Sequence, residues 1–242
     1  MYHSMALNFY QRGDKQAKLQ MASGGQLSRA EALACTGYRH ACHVMLYSDT
    51  KSQLFRRTPI RHIILMQMRF DGLLGFPGGI VNPSKESLEE GLSRELLEEI
   101  GVAVPISEDD HVESCYAPAS PTSSSSSSSS GLILHFYVKK MEEEQILDIE
   151  RSAASVAVDH GHEVLGMVRV PVYQTKSGGG LPLFLSHSFI GNARLQLVDN
   201  LLRFGLIPAK HLLKALRLSM ETHKHNAQDL RAALELTKEK LN

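Results

Sequence analysis

Glu95, Glu98 and Glu99 fall within five residues of one another, shortly after the pair Gly78-Gly79. On a helix, positions i, i+3 and i+4 share a face. Three like charges there repel, and the cost is removed when a cation sits between them. Carboxylate oxygens are hard ligands, and a tight cluster of them suits Mg²⁺ or Mn²⁺ bridging to phosphate oxygens. The chemistry this spacing points to is cleavage of a phosphate bond. A solvated acidic helix face is the duller alternative, but such a face has no need of Phe76-Pro77-Gly78-Gly79 in front of it.

These side chains need a helix, expected over residues 86–100, whose Leu88, Leu92, Leu96 and Ile100 form an i, i+4 ridge suited to packing on a sheet. Ser84 is expected to cap its start, with Pro83 just outside, and Gly101 to close its end. Apolar runs at 41–47 and 62–68 read as buried strands, joined by a loop carrying Arg56, Arg57 and Arg61. Residues 131–138 and 164–173 read as further strands. Helical patterns cover 29–33, 141–155, 188–204 and 211–241. The expectation is an α/β fold, a mixed sheet with helices on both faces.

The lead-in 1–20 is polar and patternless and reads as disordered, and Met21 is either an alternative start or an ordinary internal residue. Residues 117–130 end in eight serines and read as a flexible insert. The main domain is expected over 21–206, followed by a helical extension over 207–242.

The 242 residues, 43% of them apolar, suffice for one domain with a proper core. A formal charge of zero gives no global attraction to nucleic acid, so RNA binding would need a local patch. Three cysteines without framework spacing suggest free thiols in a reducing compartment. No apolar run approaches a membrane span, and a soluble intracellular protein is expected.

The segment from Gly79 to Val102 resembles the Nudix box. Glu86, Arg94, Glu95, Leu96, Glu98, Glu99, Gly101 and Val102 match it in type and mutual spacing, while the loop before Glu86 is one residue longer. Outside the box, 38–43, 64–72, 74–79, 159–166 and 188–194 resemble one subgroup of Nudix hydrolases, the snoRNA-decapping and inosine diphosphate-cleaving enzymes. The resemblance runs from about Met21 to about Leu206. It implies an α/β/α Nudix sandwich, dependence on Mg²⁺ or Mn²⁺, and a homodimer in nucleus, nucleolus and cytoplasm. The implied substrates are capped RNA (snoRNA and mRNA) and inosine or deoxyinosine diphosphates.

Glu95, Glu99 and Glu98 are the expected metal ligands and catalytic carboxylates, completed by the Gly78 carbonyl. The general base stays open between one of the trio and another carboxylate such as Glu163. Glu86 is expected to pair with Arg94 across two helical turns and orient the ligands. By the resemblance, His43 and Arg69 contact the nucleotide. Phe76 either walls the base or belongs to the core, and Gln196 either reads a purine edge or is a surface residue. A metal-proximal histidine is implied in the loop near Cys115, with His111 the nearest candidate. Arg56, Arg57 and Arg61 read either as an RNA-tracking patch or as a solvated loop. His211, His223 and His225 show no convincing metal spacing. The competing function is a non-catalytic Nudix-fold module that binds RNA or protein, which would not need the complete glutamate trio.

Overall fold

The computed structural model describes residues 25–117, 131–176 and 178–239, without the side chains of 223–226 and 239. The expectations for 1–20 and Met21, for nearly all of the serine-rich insert, and for the His223 and His225 side chains lie outside this set. Arg39–Asp49 (β2) is the central strand. It pairs in parallel with Leu132–Lys140 (β9) and antiparallel with His62–Arg69 (β5) and Gly78–Val81 (β7). With Gln26–Leu27 (β1), His111–Tyr116 (β8) and Val164–Arg169 (β10), the order across the mixed sheet is β1-β8-β9-β2-β5-β10. Leu74–Gly75 (β6) hangs off β5, and Gln53–Leu54 (β3) with Thr58–Pro59 (β4) makes a separate hairpin.

Helices cover both faces, each through its own apolar cluster. After the short Arg29–Ala34 (α1) comes Leu88–Ile100 (α2), whose Leu88, Leu92, Leu96 and Ile100 are all buried. This ridge packs with Glu143–Ser155 (α3) against Cys42, Val44, Leu46, Ile63 and Leu65. Each such side chain contributes about 1.5–3 kcal/mol on burial. The opposite face of the sheet, with Met45, Ile64, Met66, Phe76 and Phe136, is covered by Leu181–Leu185 (α4), Ala193–Arg203 (α5) and the first turns of Ala209–Glu239 (α6).

Several expected boundaries move. Ser87, not Ser84, caps α2: its hydroxyl accepts from the Glu90 N–H, and the Glu90 carboxylate accepts from the Ser87 N–H at 2.8 Å. Ser84 instead turns back to Asn82. Glu86 therefore sits in the loop before the helix. Gly101 ends α2 as expected, at φ 69. The strand expected over 164–173 stops at Arg169, before Pro171. The helix expected from 188 starts only at Ala193, because 188–192 run as a turn whose Ile190 N–H donates to Leu74 O and whose Ser188 O accepts from Leu74 N.

Beneath α2, a polar chain crosses the buried sheet. His111 Nε2 meets Ser114 Oγ at 2.9 Å, Ser114 Oγ meets His135 Nδ1 at 2.8 Å, and His135 Nε2 meets His40 Nδ1 at 2.9 Å. Burial, then the neighbouring His40 and His111, push His135 down to about 3. Burial lowers His40 and His111 too. The folded chain thus refuses protons that the unfolded chain accepts near pH 6.5.

Two measurements check this reading. Ser87→Ala should lower stability by about 1 kcal/mol in denaturant melts, and Ser84→Ala by clearly less. The histidines' contribution should be complete above pH 6.5 and be lost on acidification toward pH 3, His135 contributing about 1.4 kcal/mol per pH unit at most, while the raised Glu99 acts in the opposite sense up to about pH 7. A His135→Gln chain with the same pH slope as the parent would show that the histidine chain is not the cause.

Candidate active site

The diglycine turn explains how α2 can present carboxylates to the sheet. Gly78 lies at φ 124, and a Cβ there would sit 2.1 Å from the Cys42 carbonyl oxygen. Only glycine fits, so β7 can lie against β2 with its N–H turned toward α2. That N–H donates to Glu99 Oε2 at 2.6 Å, while Gln67 Nε2 on β5 donates to Glu99 Oε1 at 2.8 Å. At Gly79 a Cβ would fall 2.2 Å from Glu95 Oε2, so the second glycine leaves room for that carboxylate.

Glu99 is almost fully buried. Burial pushes its pKa up to about 7 against the effect of its two hydrogen bonds, and Glu95 and Asp159 push further in the same direction. Glu95 is likewise raised, by burial first; Arg94 opposes the shift, while Glu98 and Asp159 add to it. The pair is therefore an under-compensated patch of negative charge, held in place before any cation arrives.

Arg94 ties this patch to the loop. Its guanidinium reaches Glu86 at 3.2 and 3.3 Å, the Ile80 carbonyl at 3.1 Å, Glu95 at 2.8 Å and Glu98 at 3.4 Å. Glu86 also accepts the Asn82 N–H at 3.1 Å. The expected Glu86–Arg94 pair forms, but between loop and helix and not along two turns of one helix. It clamps the long loop onto α2.

The trio lines one cavity of about 980 Å³, which Asp159 and Glu163 also line, the Asp159 N–H donating to Glu98 O at 3.2 Å. As the side chains stand, no three His, Cys, Asp or Glu among the described residues converge on one metal position. The reason is visible: Arg94 draws Glu95 and Glu98 sideways, and Glu99 is engaged by Gly78 and Gln67. Gly78 meets Glu99 through its N–H. The donor set still fits a hard divalent cation. It is all oxygen, it is short of positive charge, and Glu95 and Glu98 pair with an exposed arginine and not with a buried one.

The nucleotide-side expectations divide. His43, Arg69, Phe76 and Gln196 all line the same cavity. His43 is held down to about 4 by burial and by Arg69, so it is neutral at pH 7. The fork of Arg69 is taken up by Asp71, Nε at 3.3 Å and one terminal nitrogen at 3.1 Å, which leaves Nη1 as the end for a ligand. Phe76 is a core aromatic, edge-on to Phe136 with centroids 4.9 Å apart, and walls the cavity without offering a free face. Gln196 is buried on α5 and not a surface residue.

His111 is bonded into the histidine chain and does not line the cavity, so it does not fill the implied metal-proximal position. Cys115 is buried as a free thiol and accepts weakly from Asn192 Nδ2 at 3.5 Å. His211 is exposed at the start of α6, far along the chain from the trio, and joins no metal group.

Sequence reasoning missed Asp159, Phe189, Ile190 and Asn192 as cavity-lining residues. Phe189 and Ile190 were assigned to a helix by their apolar spacing. Gly191, at φ 49, was the available sign of a turn there.

Gly79→Ala should keep the fold but displace Glu95, weakening Mn²⁺ binding about tenfold or more in a titration. Gly78→Ala should lower the melting temperature sharply, because its Cβ meets backbone. Unchanged Mn²⁺ affinity in Gly79→Ala would remove Glu95 from the site.

A family model described as "Nudt16-like: U8 snoRNA-decapping enzyme-like" matches residues 40–207. The U8 snoRNA-decapping enzyme of Xenopus laevis is 42% identical over 210 residues, covering 85% of this chain and 94% of the relative. That of Bos taurus is 47% identical over 191 residues, covering 77% and 93%. The Tudor-interacting repair regulator protein of Homo sapiens is 41% identical over 207 residues, covering 85% and 93%. Among solved structures, the Nudix domain of Shewanella oneidensis NrtR complexed with ADP ribose superposes with a TM-score of 0.44 at 19% identity, covering 75% of this chain and all of that one. By the extent of these matches, the chain belongs to the U8 snoRNA-decapping enzyme-like family of Nudix proteins.

Proposed function

We propose that the protein is a metal-dependent pyrophosphohydrolase that removes the cap of capped RNA, snoRNA and mRNA, and cleaves inosine and deoxyinosine diphosphates to the monophosphate and phosphate. The observation that carries this is the convergence of Glu95, Glu98 and Glu99 on one cavity, with Glu99 pinned against the Gly78 N–H. Mg²⁺ or Mn²⁺ would be held by the trio, and would stabilise charge on the attacked phosphate and lower the pKa of a bound water. The Gly78 carbonyl completes that ligand set in this reading.

The chain's own groups supply the rest. Water attacks phosphorus, the anhydride P–O bond breaks with its electrons leaving on the departing phosphate, and the water proton passes to a cavity carboxylate. Glu98 and Glu163 both face the cavity and are the candidates for that base. Glu86 and Arg94 position without touching substrate. Neutral His43 serves as a hydrogen-bonding group, and Arg69 Nη1 meets phosphate or base. Phe76 walls the base and Gln196 hydrogen-bonds its edge. The same reading places the protein, as a homodimer, in nucleus, nucleolus and cytoplasm.

A second reading, a Nudix-fold module that docks a Tudor-type protein partner, draws on the 41% identity to the relatives named for that interaction. A docking module has no use for a buried, under-compensated carboxylate pair, and the first reading accounts for it.

Glu99→Gln should lower inosine diphosphate hydrolysis by about a hundredfold or more at saturating Mn²⁺, with the melting temperature little changed. Phosphate release and cap release measured on the same preparation decide between the readings. Equal turnover in parent and variant refutes the ligand role, and no turnover in either favours the docking module.

A further inference from the structure

The hairpin β3–β4 is left unexplained by the cavity. Its strands pair Gln53 with Pro59 and Leu54 with Thr58, and the Arg57 N–H donates to Leu54 O at 3.1 Å to close the turn. Within that turn Phe55 lies at φ 52 and Arg56 at φ 56. Hairpin turns of this hand ordinarily use Asn-Gly, because a side chain on two successive left-handed residues is strained, an aromatic one especially. The strain is not offset by packing, since Phe55 is 82% exposed.

The charges around the hairpin are unequally committed. Asp49 at its foot is held by Lys140 at 2.6 Å and His62 at 2.9 Å. Glu143 accepts from Thr50 Oγ1 at 2.6 Å and Ser52 Oγ at 3.4 Å. Among the described residues neither Arg56 nor Arg57 has an acidic partner, and Arg61, at φ 72, has none either. The result is a strained tip that displays an exposed aromatic ring followed in the chain by two arginines without an acidic partner among the described residues.

We propose that this tip is a second RNA-contact element, which takes a base of the RNA body on Phe55 and its phosphates on Arg56 and Arg57. An aromatic platform set among unpaired arginines is the combination that single-stranded nucleic acid requires. An acidic peptide would satisfy the arginines but leaves the exposed ring without a use. The inference rests on the proposed action on capped RNA, and it adds where the strand goes after its end enters the cavity. β2 runs from the cavity-lining Ala41 and His43 to Asp49, and the hairpin follows. At about 3.3 Å per residue, the tip lies some 20 Å or more from the reacting phosphate. Mononucleotides therefore never reach it, and only RNA extended by several nucleotides does.

The test replaces Phe55→Asn and Arg56→Gly together, which relaxes the turn, and separately makes Arg57→Ala. For a capped RNA of about twenty nucleotides, KM should rise about tenfold in the double variant, as expected for loss of one stacked base and one phosphate contact. The slope of log affinity against log salt should shrink by about one unit for each arginine removed. Inosine diphosphate and a cap dinucleotide should be cleaved as by the parent, and the double variant should melt no lower. Affinity for uncapped RNA of the same length, read without turnover, separates the two proposals. A hairpin-dependent affinity in a protein that does not decap would sink the decapping reading and leave the contact element standing. Unchanged long-RNA KM and salt slope overturn the contact element. So does an equal loss on the dinucleotide, which would place the damage in the cavity. Lost binding to an acidic peptide with RNA affinity intact would assign the tip to a protein partner instead.

Discussion

The structure depends on keeping a buried carboxylate, Glu99, and a half-buried one, Glu95, close together with too little positive charge around them. Burial alone would drive such groups to take up protons. Glu99 is held against that tendency by the Gly78 N–H and the Gln67 amide, and Glu95 by Arg94. Each of these partners comes from a different element: β7, β5 and α2 itself. The sheet and helix must therefore stay in register to within a hydrogen-bond length for the patch to exist.

The apolar ridge of α2 provides that register. Leu88, Leu92, Leu96 and Ile100 lock the helix onto β2 and β5, which turns Glu95 and Glu99 toward β7. The two glycines then remove the side chains that would hold the strand away. Packing energy on one stripe of the helix thus sustains electrostatic strain on the neighbouring stripe. The Glu86–Arg94 clamp adds little stability at the surface, but it fixes the loop that carries β7 into the helix. The loop turns at Asn82, whose N–H donates to Glu86 and whose side-chain oxygen accepts from the Ser84 N–H.

The other half of the cavity is assembled from afar. Phe189, Ile190, Asn192 and Gln196 arrive from a turn and helix about a hundred residues after the trio. They close over Phe76 on the sheet face opposite α2, so the cavity is reached by both cores at once. One face contributes the carboxylates and the other the apolar wall of Phe76, Phe189 and Ile190. Arg69 bridges the two at the end of β5, though half its fork is spent on Asp71.

The glutamate spacing, the i, i+4 ridge, the diglycine and the Gly101 terminus were all readable along the chain, because each is a local constraint with a fixed period or a fixed φ. The central strands were readable for the same reason: buried apolar runs have few alternatives. The cap of α2 was also legible, since Ser87 is followed three residues on by Glu90 and Ser84 is not, but it was expected at Ser84 beside Pro83. The sequence could not show that 188–192 leaves the helix to pair with Leu74, that His111 joins a histidine chain in place of the cavity, or that Asp159 faces Glu95 and Glu99. Those depend on which groups come within a few ångströms when distant segments pack, and hydrogen bonds and desolvation act only over that range.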